Sequence, residues 1–275
     1  MHLRGRVAVV TGASRGGGRG IARVLGGEGA TVYVTGRSTR HGGSPTGRPE
    51  TVEQTADEVT ERGGHGVPVR CDHTDDTQIM ALFERVRAES GRLDLLVCNA
   101  WGGYELGMDY QPFWTLNPAQ LDLMLVAGLR AHLLTVQRAG PLLTASRGGL
   151  VVLTSAPVGP EFHGHLYYDV VKTAINRIPV GLAADLRPYG VTALAVAPGW
   201  MHTERMDLTP SQAAQTESTE FVGRAIAALA ADPDVARHSG SVRTVVELAA
   251  EYGFTDLDGR TMSEWWARYL HRPAR

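Results

Sequence analysis

Short, almost unbroken apolar runs alternate along the chain with longer amphipathic stretches. Runs at 7–11, 31–35, 67–71, 93–98, 150–155, 191–197 and, less sharply, 241–246 have strand length. Most are apolar at every position rather than at alternate ones, as parallel strands covered on both faces require. Between them a helical period predicts helices at 20–27, 50–62, 75–89, 118–145, 167–187 and 220–231. Repeated strand–helix units of this length predict an α/β fold with a doubly wound parallel sheet of about seven strands. No repeat or linker divides the pattern, so 1–275 reads as one domain with a C-terminal tail from about residue 250.

Three stretches break the alternation. The segment 38–49 is rich in Gly, Pro, Ser and Arg and reads as a surface loop. The segment 101–118 carries Trp101, Tyr104, Tyr110, Phe113 and Trp114. The segment 199–219 is polar and small-residue-rich, suited to a mobile flap. All three follow strand C-termini, where an open α/β sheet binds its ligand.

The first strand runs into Thr11-Gly12-Ala13-Ser14-Arg15-Gly16-Gly17-Gly18. Glycines there permit a sharp exit from the strand and bring backbone N–H groups close to a diphosphate, whose charge the following helix N-terminus supports. A strand before and a helix after give the turn its dinucleotide-binding context.

Composition adds one oddity. Of 27 basic residues, Lys172 is the only lysine; the rest are arginines. Tyr168 precedes it by four positions, so a helix places both on one face. A chain that uses Arg everywhere else and keeps one Lys beside a Tyr marks a chemical site, because the two cations are not interchangeable. The remaining bulk numbers are ordinary: 43% hydrophobic, 20% charged, net charge -2. They offer no basic stripe for nucleic acid and no polybasic membrane segment. No uninterrupted apolar run reaches 18 residues and no signal-like segment opens the chain, so no membrane span is expected and the cytoplasm is the expected location. Cys71 and Cys98 read as buried packing thiols of a reducing compartment. No Cys/His/acid cluster suggests a metal.

The second strand ends Thr35-Gly36-Arg37, with no carboxylate to meet ribose hydroxyls. Arg37, with Arg15 from the glycine turn, suits a 2′-phosphate through charge-assisted hydrogen bonds. The expected cofactor is NADP(H), preferred over NAD(H). Arg40 and Arg48 read as solvated.

In these motifs the chain resembles the short-chain dehydrogenase/reductase family over about residues 4–250. Thr11–Gly18 is similar to its cofactor turn, and Tyr168 and Lys172 to its catalytic pair. Ser155, 13 residues before Tyr168, stands where its catalytic serine does. Pro198-Gly199-Trp200-Met201-His202-Thr203 is similar to its nicotinamide segment, Cys98-Asn99-Ala100 to its Asn-Asn-Ala-Gly motif, and Asp72 to its adenine contact. The segments Gly18-Arg19-Gly20-Ile21-Ala22 and Val34-Thr35-Gly36-Arg37, with the tail 251–259, resemble its dehydrogenase/reductase member 1-like branch.

The resemblance implies a single-domain Rossmann fold and hydride transfer between a nicotinamide cofactor and a carbonyl or alcohol. It gives Tyr168 the acid–base role, Lys172 that of electrostatic partner and ribose ligand, and Ser155 that of substrate-oxygen donor. Thr154 is a neighbour that could substitute for Ser155; the 13-residue interval favours the serine. It implies cofactor contacts from Gly12, Ser14, Arg15, Gly16, Gly18, Arg37, Asp72, Asn99, Lys172, Pro198, Gly199, Met201 and Thr203. Many members carry an Asn in a proton relay where this chain has Gly128, which leaves the relay open. Trp101, Tyr104 and Trp200 imply a roomy apolar substrate pocket; Phe113, Trp114 and Tyr167 read as packing. His163 and His165 read as structural or solvated, and Asp169 as exposed. The expected partner is a small-molecule carbonyl or alcohol, and the expected assembly a homodimer or homotetramer. The other reading kept open is a dinucleotide-sensing protein that retained the fold and lost the chemistry.

Overall fold

The computed structural model describes residues 1–108, 110–146, 148–157 and 162–270. Strand β1 (Val7–Val10) leads into α1 (Gly16–Gly27), β2 (Thr31–Gly36), α2 (Val52–Glu61), β3 (His65–Arg70), α3 (Asp76–Ser90) and β4 (Leu95–Cys98). The second half holds α4 (Pro118–Met124), a π-helical segment Leu125–Arg130, α5 (Ala131–Ser146), β5 (Leu150–Thr154), α6 (Leu166–Leu186) and β6 (Thr192–Ala197). A small flap follows, made of β7 (Met201–His202), α7 (Pro210–Ala213) and β8 (Glu217–Ser218). The chain then runs through α8 (Thr219–Ala231), β9 (Val242–Thr244), α9 (Val245–Tyr252) and α10 (Glu264–Leu270).

Seven strands pair in the order β3-β2-β1-β4-β5-β6-β9, all parallel. Side chains alternate across a strand, so neighbours such as Val9 and Val10 enter opposite cores. On one face α1, α8 and α9 bury Ile21, Leu25, Phe221 and Leu248. On the other α3, α5 and α6 bury Phe83, Leu143 and Ile175. Burying a side chain of this size contributes roughly 1.5–3 kcal/mol, and both layers are needed to cover the strands. The chain reverses its direction of growth between β1 and β4, which opens a crevice at the strand C-termini.

Several expectations change. α1 begins at Gly16 rather than near residue 20, because the glycine turn winds directly into the helix. The predicted helix 118–145 is interrupted by the π segment. Taken whole, Pro118–Ser146 is long and apolar enough by length and composition to cross a membrane, which a count of unbroken apolar residues overlooks. Here its residues Val136, Ala139, Leu142 and Leu143 pack into the sheet core. The flap carries its own strand pair, with Met201 and His202 opposite Glu217 and Ser218. Phe113 and Trp114 do not pack inward: they are 59% and 74% exposed and meet each other edge to face. Tyr167 does pack against the core.

Candidate active site

The glycine turn has only one sterically possible composition at two positions. Gly12 has φ +62°, and a Cβ there would sit 2.8 Å from Ala100 Cα. Gly18 lies under the turn, where a Cβ would approach the Gly12 carbonyl oxygen to 2.4 Å. Gly18 therefore seats the helix against the turn and is not among the residues that line the crevice. Asn99 braces the arrangement. Its side-chain amide donates to the Thr11 carbonyl at 3.0 Å, and its oxygen accepts from Thr154 Oγ1 at 3.2 Å. The Asn99 and Ala100 N–H groups both donate to Thr11 Oγ1.

Above the turn lies a cavity of about 730 Å³. Gly12, Ser14, Arg15 and Gly16 line one end, with Arg37 and Asp72 beside them. Ser155, Tyr168 and Lys172 line the other, together with Trp101 and Tyr104. Pro198, Gly199, Trp200, Met201 and Thr203 form the wall from the flap, so every site residue expected from the sequence except Gly18 reaches this one space.

α6 starts at His165, whose ring accepts a hydrogen bond from the Tyr168 N–H. One turn on, Tyr168 and Lys172 share a face, with Lys172 Nζ 5.7 Å from the phenol ring centroid. Lys172 is 8% exposed, and burial pulls its ammonium down to about 7. Burial holds the Tyr168 phenol well above its ordinary value, reinforced by a hydrogen-bonded Tyr104. The lysine one turn on does not reverse this: within the chain alone, desolvation wins. Ser155 Oγ donates to the Lys172 carbonyl at 3.2 Å, tying β5 to the same turn of α6.

The two arginines are already engaged. Arg37 pairs with Glu105 of the aromatic loop. Arg15 donates to Ser38 and Thr46, each at 2.7 Å, and pairs with Glu50 at 3.4 Å. Arg48 is not simply solvated: it holds Glu50 and the Glu204 carbonyl. Arg40 pairs with Asp57 at the surface.

Some residues at the cavity carried no sequence signal. The Glu204 carboxylate accepts from the Gly16 N–H at 2.8 Å and faces Arg19 at 3.5 Å. Of the two readings of His163, structural or solvated, the first fits: its Nδ1 lies 2.6 Å from Asp169, which is itself half-buried, and its ring meets Tyr168 edge to face. The tail reaches the site too. Trp266 is fully buried and donates to Glu217 Oε2 at 2.7 Å, while Glu217 Oε1 accepts from the Gly199 N–H at 2.8 Å. Burial raises the Glu217 carboxyl to about 7 against those two donors. Trp265 thereby joins the cavity wall. Only the clustered aromatics of the tail, Trp265, Trp266 and Tyr269, hint at this in the sequence.

The strand order, with a glycine turn at its central switch point, defines a dinucleotide-binding α/β class. A family model described as short chain dehydrogenase matches residues 6–214, and the chain belongs to that family. Within it the chain stands close to the dehydrogenase/reductase member 1-like branch. The mouse protein named dehydrogenase/reductase SDR family member 1 is 36% identical, covering 96% of this chain and 87% of its own. A cyclohexanol dehydrogenase from Rhodococcus sp. (strain TK6) is 32% identical, over 75% of this chain and 78% of its own. A metagenomic short-chain oxidoreductase solved in complex with NADP superposes with a TM-score of 0.66 at 28% identity, covering 85% of this chain and 94% of its own.

Proposed function

We propose that this protein is an NADP(H)-dependent oxidoreductase that interconverts a carbonyl and an alcohol on a small, apolar substrate. The observation that carries this reading is a single cavity with an anion-accepting glycine turn at one end and Tyr168 with Lys172 at the other.

The residues fit the dinucleotide. Gly16 N–H already holds a carboxylate, the Glu204 side chain, where a cofactor diphosphate would lie against the α1 N-terminus. Gly12 keeps the approach clear of side chain. Arg15 and Arg37 stand at the end of β2, where the 2′-phosphate of NADP would separate it from NAD. The relative solved with NADP supports the same preference. Bound there, the nicotinamide supplies or accepts the hydride.

The chain's own part is proton handling and orientation. In reduction, the Tyr168 O–H gives its proton to the substrate oxygen as the hydride reaches carbon; in oxidation the phenol oxygen takes it back. Burial keeps that phenol protonated, so it stands ready as the acid. The Lys172 ammonium stabilises the phenolate left behind. Ser155 Oγ, released from the Lys172 carbonyl by a rotamer change, can donate to the same substrate oxygen. Trp101, Tyr104, Trp200 and Trp265 supply apolar walls.

NADPH consumption with a panel of ketones and aldehydes, and NADP⁺ reduction with cyclic alcohols, tests the reading. Absence of turnover on the whole panel, with NADPH bound, would favour a dinucleotide-sensing protein. We place the protein in a reducing compartment such as the cytoplasm, supported by free, buried Cys71 and Cys98. Pairing into a homodimer or homotetramer is supported by the exposed apolar residues Leu125, Val126 and Leu133, and Val170 and Val180 of α6. Cell fractionation and light scattering check these two points.

A further inference from the structure

Lys172 is buried, burial lowers its ammonium, and no acid among the described residues offsets it. An ammonium taken from water without compensation is costly. The titratable groups described around it offer none. Tyr168 on its own helix and Tyr104 on the loop after β4 are phenols. His132 of α5 is kept neutral, its imidazole pushed down to about 3 by burial. Asp169, one turn back, faces His163.

What does face the ammonium is an indole. Lys172 Nζ lies 4.1 Å from the Trp101 ring centroid, and the same ring meets Tyr168 edge to face at 5.7 Å. The ring is held there by two missing side chains. A Cβ at Gly103 would lie 2.5 Å from Trp101 Cζ2, and one at Gly128 would lie 2.6 Å from Cζ3. Trp101 Nε1 is buried with no hydrogen-bond partner among the described residues, so no hydrogen bond explains the placement. A desolvated ammonium over an indole face is the strongest form of cation–π contact.

We infer that Trp101 is a positioning residue for Lys172: its indole face holds the charged ammonium beneath Tyr168, and Gly128 lacks a side chain to make room for that ring. The inference rests on the proposed role of Lys172 and adds to it the group that keeps the charge in place. It also accounts for Gly128 by space, because any side chain there collides with the indole.

Lys172 is the only lysine, so protein grown on lysine labelled with 13C at Cε gives one side-chain signal without assignment. Its pH titration is compared in wild type, Trp101→Phe, Trp101→Leu and Gly128→Ala. Loss of the π face in Trp101→Leu should lower the titration midpoint by about one pH unit, a tenfold change in charged fraction. Trp101→Phe should fall between, and Gly128→Ala should follow Trp101→Leu because its methyl displaces the ring. Should Trp101→Leu not fold, as judged by circular dichroism, the other two carry the test. An unchanged midpoint overturns the inference. So does an upward one, which would make Trp101 merely a shield from water. The pH–rate profile separates the two levels: a shifted titration with an unshifted profile supports the hold of Trp101 on the ammonium and overturns instead the part assigned to Lys172 in turnover.

Discussion

Glu204 and Gly16, 188 positions apart, join the flap to the first helix: the carboxylate of one accepts the backbone N–H of the other. An anion at a helix N-terminus is stabilised by about 0.3–1 kcal/mol. A diphosphate arriving at the same N–H must displace it. Glu204→Ala should therefore tighten NADPH binding about two- to fivefold, measured by calorimetry. Weaker binding in the variant would show that Glu204 supports the cofactor site rather than masking it.

Arg37 and Glu105 make a second such pair, between β2 and the aromatic loop. Arg37→Ala should raise the NADPH dissociation constant about 10- to 100-fold while changing that for NADH little, as expected for a lost charged hydrogen bond of about 1.5–3 kcal/mol. Glu105→Gln should do the opposite, freeing the guanidinium. Equal losses for both cofactors in Arg37→Ala would end the case for NADP preference.

Tyr168→Phe removes the transferable proton and little else. Turnover should fall by about 10²–10⁴-fold with NADPH affinity within threefold of wild type. Stopped-flow binding and steady-state rates together decide it; retained turnover would reassign the acid. Lys172→Arg should be nearly as damaging, because a larger, planar cation does not fit the buried space over the Trp101 and Tyr168 rings.

Lys172 also sets a pH signature on stability. Its midpoint is lowered to about 7 in the folded chain against 10.5 ordinarily. The charged form is thus disfavoured by folding, and the penalty is full below about 7 and relieved as pH rises towards 10.5. Lys172→Met should be more stable than wild type by on the order of 2–4 kcal/mol at pH 6–7, and inactive. Thermal unfolding across pH should show that gap closing between about 7 and 10.5. A gap independent of pH would mean that packing, not charge, accounts for it.

Glu217 runs the other way. Its carboxyl is raised to about 7, so the stability it contributes as a neutral group is full below 4.5 and is lost as pH rises through about 7. Glu217→Gln keeps an acceptor for Trp266 and removes the buried charge. It should flatten the fall in stability between about pH 4.5 and 7, followed by tryptophan fluorescence. An unaltered profile would show that Glu217 does not titrate in that range.

The sheet was legible in the sequence because parallel strands buried on both faces write themselves as apolar runs, as at Leu150–Thr154. The glycine turn and the Tyr168–Lys172 pair were legible because their chemistry is local: a turn of eight residues and one helical step. What escaped was set by partners far away in the chain. Nothing near Glu204 announces Gly16, and nothing near Glu217 announces Trp266. The tail helix α10 is short and amphiphilic in no clear period, and becomes a wall only once Glu217 receives it. Phe113 and Trp114 misled for the opposite reason: aromatic residues in a loop read as packing, yet here they face outward and meet chiefly each other.

The π segment Leu125–Arg130 makes chain length, not only composition, a determinant of the site. It carries one more residue per turn than the helices on either side. Were the same residues to wind as α-helix, α4 and α5 would join as one regular helix, with everything beyond rotated by about 100° relative to what precedes. Arg130 would leave the Thr74 carbonyl, and Gly128 would leave the face of Trp101. The extra residue absorbed here thus sets the register of the site, just as the residues of the loop after β2 that hold Arg15 set its cofactor end.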